Sequence, residues 1–441
     1  MRLTNVTQMT LPEGRLSSYG VRVSGAAVRR LPISFDQRRH VGEGERDGSW
    51  MAVAFEPDGS PTREDLATAW DRVVARHGTL RTVFSRDADG DLILEERAIE
   101  PGDWVEHLAD GASAPRDALR RALDDRCHPF GAPSHRLCVL RPADRRRRPT
   151  IVIAADHSHV DMWSLLILVR DLLTELRIEP DVEVDHSAAP APPASFAEHT
   201  AHLAQLPSAP EEIHGRWEDI LRAGDGAMPT FPLPLGDVSR PREEVVEVRD
   251  VLDADEAAAF EAAASEAGVR ASALGISVLT DVTATLCDAP LRAVFPVHSR
   301  HEPRWLDSVG WYITNSVIEC ADADPRAAAA AIREALALGS HPLQPILAPY
   351  GGMPARPGMF AISWLDTRRL PAVPPGLRIQ YVSARVRTDG VMIWFIVNES
   401  GLHLRCRYPD TAQARTSVGR WLDAVQAGLR ERVAPSRHPS H

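Results

Sequence analysis

Lysine is absent from this chain of 441 residues, so its basic complement of 50 is entirely arginine. Set against 61 acidic residues, this leaves a net charge of −11, which excludes a protein whose main task is to hold phosphate backbones or an anionic membrane surface. The missing lysine, the 35 prolines and the abundant alanine together suggest a GC-rich coding bias. The one dense cationic run, Arg145 to Arg148, stands between two strand-like segments, "HRLCVLRPA" and "PTIVIAAD", and predicts a solvated hairpin turn. Cysteine is scarce. Cys127, Cys138, Cys287, Cys320 and Cys406 are odd in number and form no CxxC pair, which excludes a disulfide framework and a structural zinc site. No apolar run approaches the roughly 18 residues of a membrane span, and "MRLTNVTQMTLPEGRLSS" lacks the apolar core of a signal peptide. The expectation is a soluble, cytoplasmic protein with free thiols, no membrane span and no nucleic-acid partner.

What is present is alternation. The length predicts two domains. "SWMAVAFEP" reads as a strand, and "TREDLATAWDRVVARHGTL" as a helix with Thr62 as N-cap and Leu66, Trp70, Val73 and Val74 on one face. A hairpin "RTVFSRDADGDLILEE" turns at Asp89-Gly90, followed by the helix "PRDALRRALDDRC", the two strands flanking the arginine run, and the strongly apolar helix "MWSLLILVRDLLTELR". "PDVEVDHSAAPAPPAS" has little that packs and predicts a linker or crossover. Beyond it, strands and helices continue in the same style, from "REEVVEVRDVL" through "MFAISWLD", "RIQYVSARV" and "VMIWFIVNES" to a last helix "ARTSVGRWLDAVQAGLRERV". The fold class is α/β in two lobes.

Within "TIVIAADHSHVDMWS", His157, His159 and Asp161 occupy alternate positions. In an extended segment they would share one face, and HxHxD is a pattern that offers zinc two imidazoles and a carboxylate. It is similar to the HxHxDH motif of metallo-β-lactamase-fold hydrolases, except that Met162 stands where the last histidine belongs. A second register fits more residues. With Asp156 and His157 as its first two positions, "DHSHVDMWS" matches HHxxxDGWS at His157, the apolar Val160, Asp161, Trp163 and Ser164.

That pattern resembles the signature of nonribosomal peptide synthetase condensation domains and the wider chloramphenicol-acetyltransferase-like family. Further segments match in order. "SFDQRRH" is similar to SxAQxR through Ser34, Gln37 and Arg39, and "RHGTLRTVF" to RHExLRTxF with Gly78 for the glutamate. "SFAEHTAHL" and Trp217 in "GRWEDIL" resemble the region after the active-site helix, and "FPVHSR" ends at Arg300 where the family has a strand ending in Gly-Arg. "VGWYITNSVIE" resembles VGxFVNTxxxR through Val309, Gly310 and Asn315, while "ISWLDTRRLP" is similar to stand-alone, polyketide-associated acyltransferases that esterify sugar or polyketide hydroxyls.

The resemblance implies two chloramphenicol-acetyltransferase-like lobes in a V-shaped pseudodimer with the active site in a tunnel between them. Residues 1–185 would form the lobe carrying the motif, 186–198 the linker or crossover, and 199–441 the second lobe. It implies acyl transfer from a coenzyme A or carrier-protein thioester to a hydroxyl in natural-product biosynthesis, with no bound cofactor, no metal and a small-molecule acceptor. His157 would be the general base, or else position the nucleophile or stabilise the intermediate. Asp161 would be an anchor paired with Arg300, Asp156 a support in place of the first histidine, and Met162 a bulky replacement for the motif glycine. Trp163, His298, Trp311, Tyr312, Asn315 and Ser363 would line the tunnel, although His298 could equally sit in its strand. His159 and His77 read as structural. An amide-forming reaction, an inactive recruitment module and the metal-dependent hydrolase are the alternative readings.

Overall fold

Two β-sheets organise the chain in the computed structural model, which describes residues 2–107, 114–177 and 192–433. Each sheet belongs to its own compact unit.

The first unit comprises Met1–Gln205, His298–Ile313 and Leu370–Val386. In chain order it contains β1 (Arg2–Asn5), β2 (Gly14–Leu31), α1 (Phe35–Gly42), β3 (Trp50–Phe55), α2 (Arg63–Arg76), β4 (Thr82–Arg86), β5 (Leu92–His107), α3 (Ala114–Arg126), β6 (His135–Pro142), β7 (Thr150–Asp156), α4 (Met162–Glu175) and α5 (Phe196–Gln205). A distant strand, β12 (Gln380–Ser383), completes its sheet in the order β1-β12-β3-β7-β6-β2-β5-β4. It runs parallel to β1 and antiparallel to β3. The two units are therefore not the contiguous segments 1–185 and 199–441 expected from sequence. "RIQYVSARV" reads as a second-lobe strand, but its backbone closes the ladder beside β3, and the loop 298–313 also belongs to the first unit. Of the expected linker, 186–191 lie outside the described residues, and by Phe196 the chain is already helical in α5.

Local chemistry explains the helix starts. Thr62 caps α2 in a reciprocal box with Asp65, each side chain bonding the other's backbone N–H. At the Asp89-Gly90 turn, Gly90 takes φ 86°, which a side chain disfavours. Central strand β7 is buried at every position, which is why "TIVIAAD" shows no alternation. Val152 and Ala154 pack with Leu119 and Leu123 of α3, while α4 lies against β3 and β7. The arginine run falls in the turn between antiparallel β6 and β7.

The second unit comprises Leu206–Val297, Thr314–Arg369 and Arg387–His441. Its elements are α6 (Glu211–Ala223), β8 (Arg242–Leu252), α7 (Ala254–Glu266), α8 (Ala271–Cys287), β9 (Leu291–His298), β10 (Ile313–Cys320), α9 (Pro325–Gly339), α10 (Leu343–Leu347), β11 (Phe360–Asp366), β13 (Arg387–Thr388), β14 (Val391–Asn398), β15 (Gly401–Pro409) and α11 (Ala412–Glu431). The sheet order is β10-β9-β11-β14-β15-β8-β13, parallel at β9-β11-β14 and antiparallel from β14 to β13. α8 packs on α9 and α11 over this sheet, with Phe231, Phe360 and Trp421 meeting edge to face at 5.1–6.0 Å. Among the described residues no single helix is long and apolar enough to cross a membrane.

Candidate active site

The site is built where β7 ends. Asp156 is the last residue of the strand, the chain turns through 157–160, and Asp161 caps α4 by accepting from the Ser164 amide at 2.7 Å. Because these residues form a turn and a cap, alternate side chains do not share a face. His159 is buried, with its ring nitrogens 2.9 Å from Ser158 Oγ and 3.2 Å from the Thr82 carbonyl. The Asp161 carboxylate is taken by Arg300. The HxHxD residues thus have separate partners, and among the described residues no group of three or more His, Cys, Asp or Glu side chains is placed to hold a metal ion.

His157 is half-buried. Its backbone N–H donates to the Ser49 carbonyl at 3.0 Å, and its Nδ1 lies 3.0 Å from the Val160 carbonyl. A carbonyl only accepts, so the proton is on Nδ1 and Nε2 carries the lone pair. The indole of Trp311 stacks on the imidazole at 4.3 Å and 29°. Burial, and then the neighbouring imidazole of His40, push the His157 pKa down to about 4.

Asp161 and Arg300 form a buried ion pair, with Nη1 on Oδ2 and Nη2 3.2 Å from Oδ1. The same Nη2 donates to Ser164 Oγ at 2.9 Å and to the Ser308 carbonyl at 3.0 Å, and the guanidinium lies 3.9 Å from the Tyr312 ring centroid. Asp161 Oδ2 also accepts from the Tyr312 amide at 3.1 Å. Burial opposes ionisation of Asp161, but the charge and hydrogen bonds of Arg300 outweigh it and hold the carboxyl below its usual range. The pair therefore ties the start of α4 to the loop 298–313.

Gly310 of that loop exchanges hydrogen bonds with Ser164 Oγ at 3.0 and 2.8 Å, and a methyl group on it would overlap the Phe196 ring. Gly310→Ala is expected to destabilise the protein by about 1–3 kcal/mol. Urea midpoints would show it, and an unchanged midpoint would mean that Phe196 moves aside freely.

Asp156 is fully buried at the position of the motif's first histidine. It accepts from Ser49 Oγ at 2.5 Å, from the Ser158 amide at 2.9 Å, and from His40 Nε2 at 3.2 Å. Burial opposes its charge, yet the hydrogen bonds from His40 and Ser158 hold it well below the usual carboxylate range. Met162 opens α4, is partly exposed, and its carbonyl accepts from Tyr381 Oη at 3.0 Å. Trp163, also partly exposed, donates Nε1 to the Leu306 carbonyl at 2.8 Å and lies 6.5 Å from the exposed ring of His298. Tyr312 is buried, its hydroxyl on Ser308. Asn315 and Ser363 are partly buried in the second unit, on β10 and β11.

Other matched segments serve this turn and loop. Ser34 and Gln37 form the capping box of α1, and Gln37 Nε2 reaches across to the Ser158 carbonyl at 2.8 Å. Thr79 Oγ1 donates to the Val309 carbonyl at 2.7 Å. His77 ends α2 with Nε2 2.8 Å from Asp171, a buried helix-end contact away from the turn. Three neighbours received no site role from sequence: His40, Arg46 and Tyr381. His40 lies within the quoted "SFDQRRH", which was a usable signal; Tyr381 is 219 residues from its partner and carried none.

No family model matches the chain. Acyltransferase PapA3 of Mycobacterium tuberculosis is 24% identical over 451 residues, spanning 94% of this chain and 92% of that protein. Trehalose-2-sulfate acyltransferase PapA2 of Mycobacterium bovis is 27% identical over 229 residues, 48% of each. The structure of a PapA2 acyl transferase superposes with a TM-score of 0.82 at 20% identity, covering 99% of this chain and 100% of that one. The first condensation domain of the calcium-dependent antibiotic synthetase gives 0.68 at 15% identity, covering 94% and 98%. The chain has the two-sheet α/β fold of these acyl transferase and condensation-domain structures, and it is similar over nearly its whole length to acyltransferase PapA3.

Proposed function

We propose that this protein is an acyltransferase that moves an acyl group from a thioester to the hydroxyl of a small-molecule acceptor, forming an ester in natural-product biosynthesis. The observation that carries the reading is the state of His157: neutral, with Nδ1–H held by the Val160 carbonyl and the lone pair on Nε2. Such an imidazole can take the acceptor's hydroxyl proton as its oxygen attacks the thioester carbonyl. The tetrahedral oxyanion then collapses, the C–S bond breaks, and the imidazolium returns its proton to the departing thiolate. No covalent acyl-enzyme is needed. The similarity to PapA2 and PapA3 supports an ester product and a sugar acceptor such as trehalose; the donor would be acyl-coenzyme A or an acyl-phosphopantetheinyl carrier protein. A cytoplasmic setting belongs to the same reading, supported by free thiols at Cys127, Cys138, Cys287, Cys320 and Cys406.

The test is thioester consumption and ester formation by wild type and His157→Ala, with acyl-coenzyme A donors and a panel of sugar, alcohol and amine acceptors. Ester formation lost in the variant supports the reading. Amide formation would move it to amine acceptors, and no consumption of any donor would favour a recruitment module.

A pH dependence follows. The folded pKa of His157, about 4, lies below the ordinary value of 6.5. The base therefore stays neutral across that interval, and kcat/KM should hold from neutral pH down to about 5 before falling. Stability follows the opposite logic: between about pH 6.5 and 4 the unfolded imidazole binds a proton that the folded one refuses, so this group's contribution is lost as pH falls through that window. An acid limb of kcat/KM near 6.5 would contradict the environment described for His157.

A further inference from the structure

We propose that His40 is a second active-site imidazole, a positioning residue held between Arg46 and Asp156 that fixes Trp311 against His157 and donates a hydrogen bond to the Asp156 carboxylate beside the base. The inference rests on the acyltransferase reading for its kinetic consequences, but not for its effect on His157 itself.

His40 sits in the last turn of α1, with its side chain 11% exposed. Nε2 lies 3.2 and 3.4 Å from the two oxygens of Asp156, and Nδ1 lies 2.8 Å from Nη2 of Arg46. Arginine has no lone pair to offer, so Nδ1 accepts and the ring proton is on Nε2, aimed at the carboxylate. Arg46 is itself fixed: its Nη1 donates to the His40 carbonyl at 2.9 Å and to the Gly44 carbonyl at 3.2 Å, and its guanidinium lies 3.4 Å from Glu43. Both ring nitrogens of His40 are thus committed. The residue has nothing left for a substrate, and whatever it does it does through its neighbours.

Those neighbours are the site. The His40 ring meets the Trp311 indole edge to face at 5.2 Å and 88°, while the same indole stacks on His157 at 4.3 Å. The two imidazole centroids are 6.1 Å apart. Trp311 is therefore gripped on one side by a ring that is itself locked by Arg46 and Asp156. The titratable groups facing His157 are His40 from α1, Asp156 from the end of β7 and Asp161 from the cap of α4, while Trp311 from the loop carries no charge. Asp161 is paired with Arg300. Asp156 accepts from His40 as well as from Ser49 and Ser158, so removing His40 takes a hydrogen bond from a buried carboxylate next to the base and leaves its charge less well satisfied. A carboxylate so placed favours protonation of His157.

The direct test is NMR titration of the labelled His157 ring in wild type, His40→Leu and Arg46→Met. His40→Leu should move the His157 titration upward by about one pH unit, and Arg46→Met, which loosens the array from its accessible side, should move it the same way by about half as much. Arg46→Met keeps the question answerable if His40→Leu does not fold. With palmitoyl-coenzyme A and trehalose, the acid limb of kcat/KM in His40→Leu should shift by the amount the NMR titration shows, so that at about pH 4.5 the variant falls about threefold below wild type. His40→Gln, which places an amide N–H near the Nε2 position, should restore much of the rate. A His157 titration that stays put in both variants would overturn the proposal even if the enzyme is active. A shifted titration in a protein that consumes no thioester would leave the positioning role standing and remove the acyltransferase reading instead.

Discussion

Replacing Asp161 by alanine is expected to destabilise the protein by on the order of 3–5 kcal/mol, because Arg300 would remain buried without its counter-charge. The side chains of the pair are only 2% and 1% exposed, so water cannot take over the lost contacts. The substitution also strips the cap from α4 and the acceptor from the Tyr312 amide. Loss of one partner should therefore exceed the modest effect of an exposed ion pair. Asp161→Asn retains an oxygen for the Ser164 amide and should fall between wild type and alanine. In Asp161→Ala/Arg300→Met the orphaned charge is gone, and part of the stability should return. Urea unfolding of the four proteins decides it. Equal midpoints for wild type and Asp161→Ala would mean that the loop 298–313 is held by other contacts.

The largest catalytic effect is expected at His157. Its alanine variant should lose about 10²–10⁴-fold in kcat/KM, the range for removal of a positioned general base. Folding should survive, since the ring makes one side-chain hydrogen bond, to a carbonyl within its own turn, and its burial is incomplete. This separates it from Asp161→Ala, in which activity and stability should fall together. Retention of wild-type kcat/KM in a folded His157→Ala protein would end the general-base assignment.

Much of the fold was legible because local signals agreed with it. The cap and apolar face of α2, the Gly90 turn and the continuous apolar run of β7 each prescribe one structure from neighbouring residues alone. β2 was not legible. It is long, and its second half is exposed against β5 with little alternation, so no periodicity marks it. β12 was legible as a strand but not as a member of the first sheet, because register with β3 is a property of two segments more than 300 residues apart in the chain.

The site divides in the same way. The turn residues 156–164 are contiguous, and their register with a known pattern singles out His157 and Asp161. The metal-like alternation of His157, His159 and Asp161 was misleading, since it presumes an extended backbone that the α4 cap ends. What the sequence by itself determined was an α/β protein with one eligible imidazole and one carboxylate at fixed spacing, because spacing and local backbone preference are written in adjacent residues. Only the tertiary structure decided which nitrogen of His157 carries the lone pair and that His40, held by Arg46, meets the Asp156 carboxylate. Hydrogen-bond direction and charge compensation depend on side chains brought together from α1, β7 and the 298–313 loop, and that proximity exists only once the chain has folded.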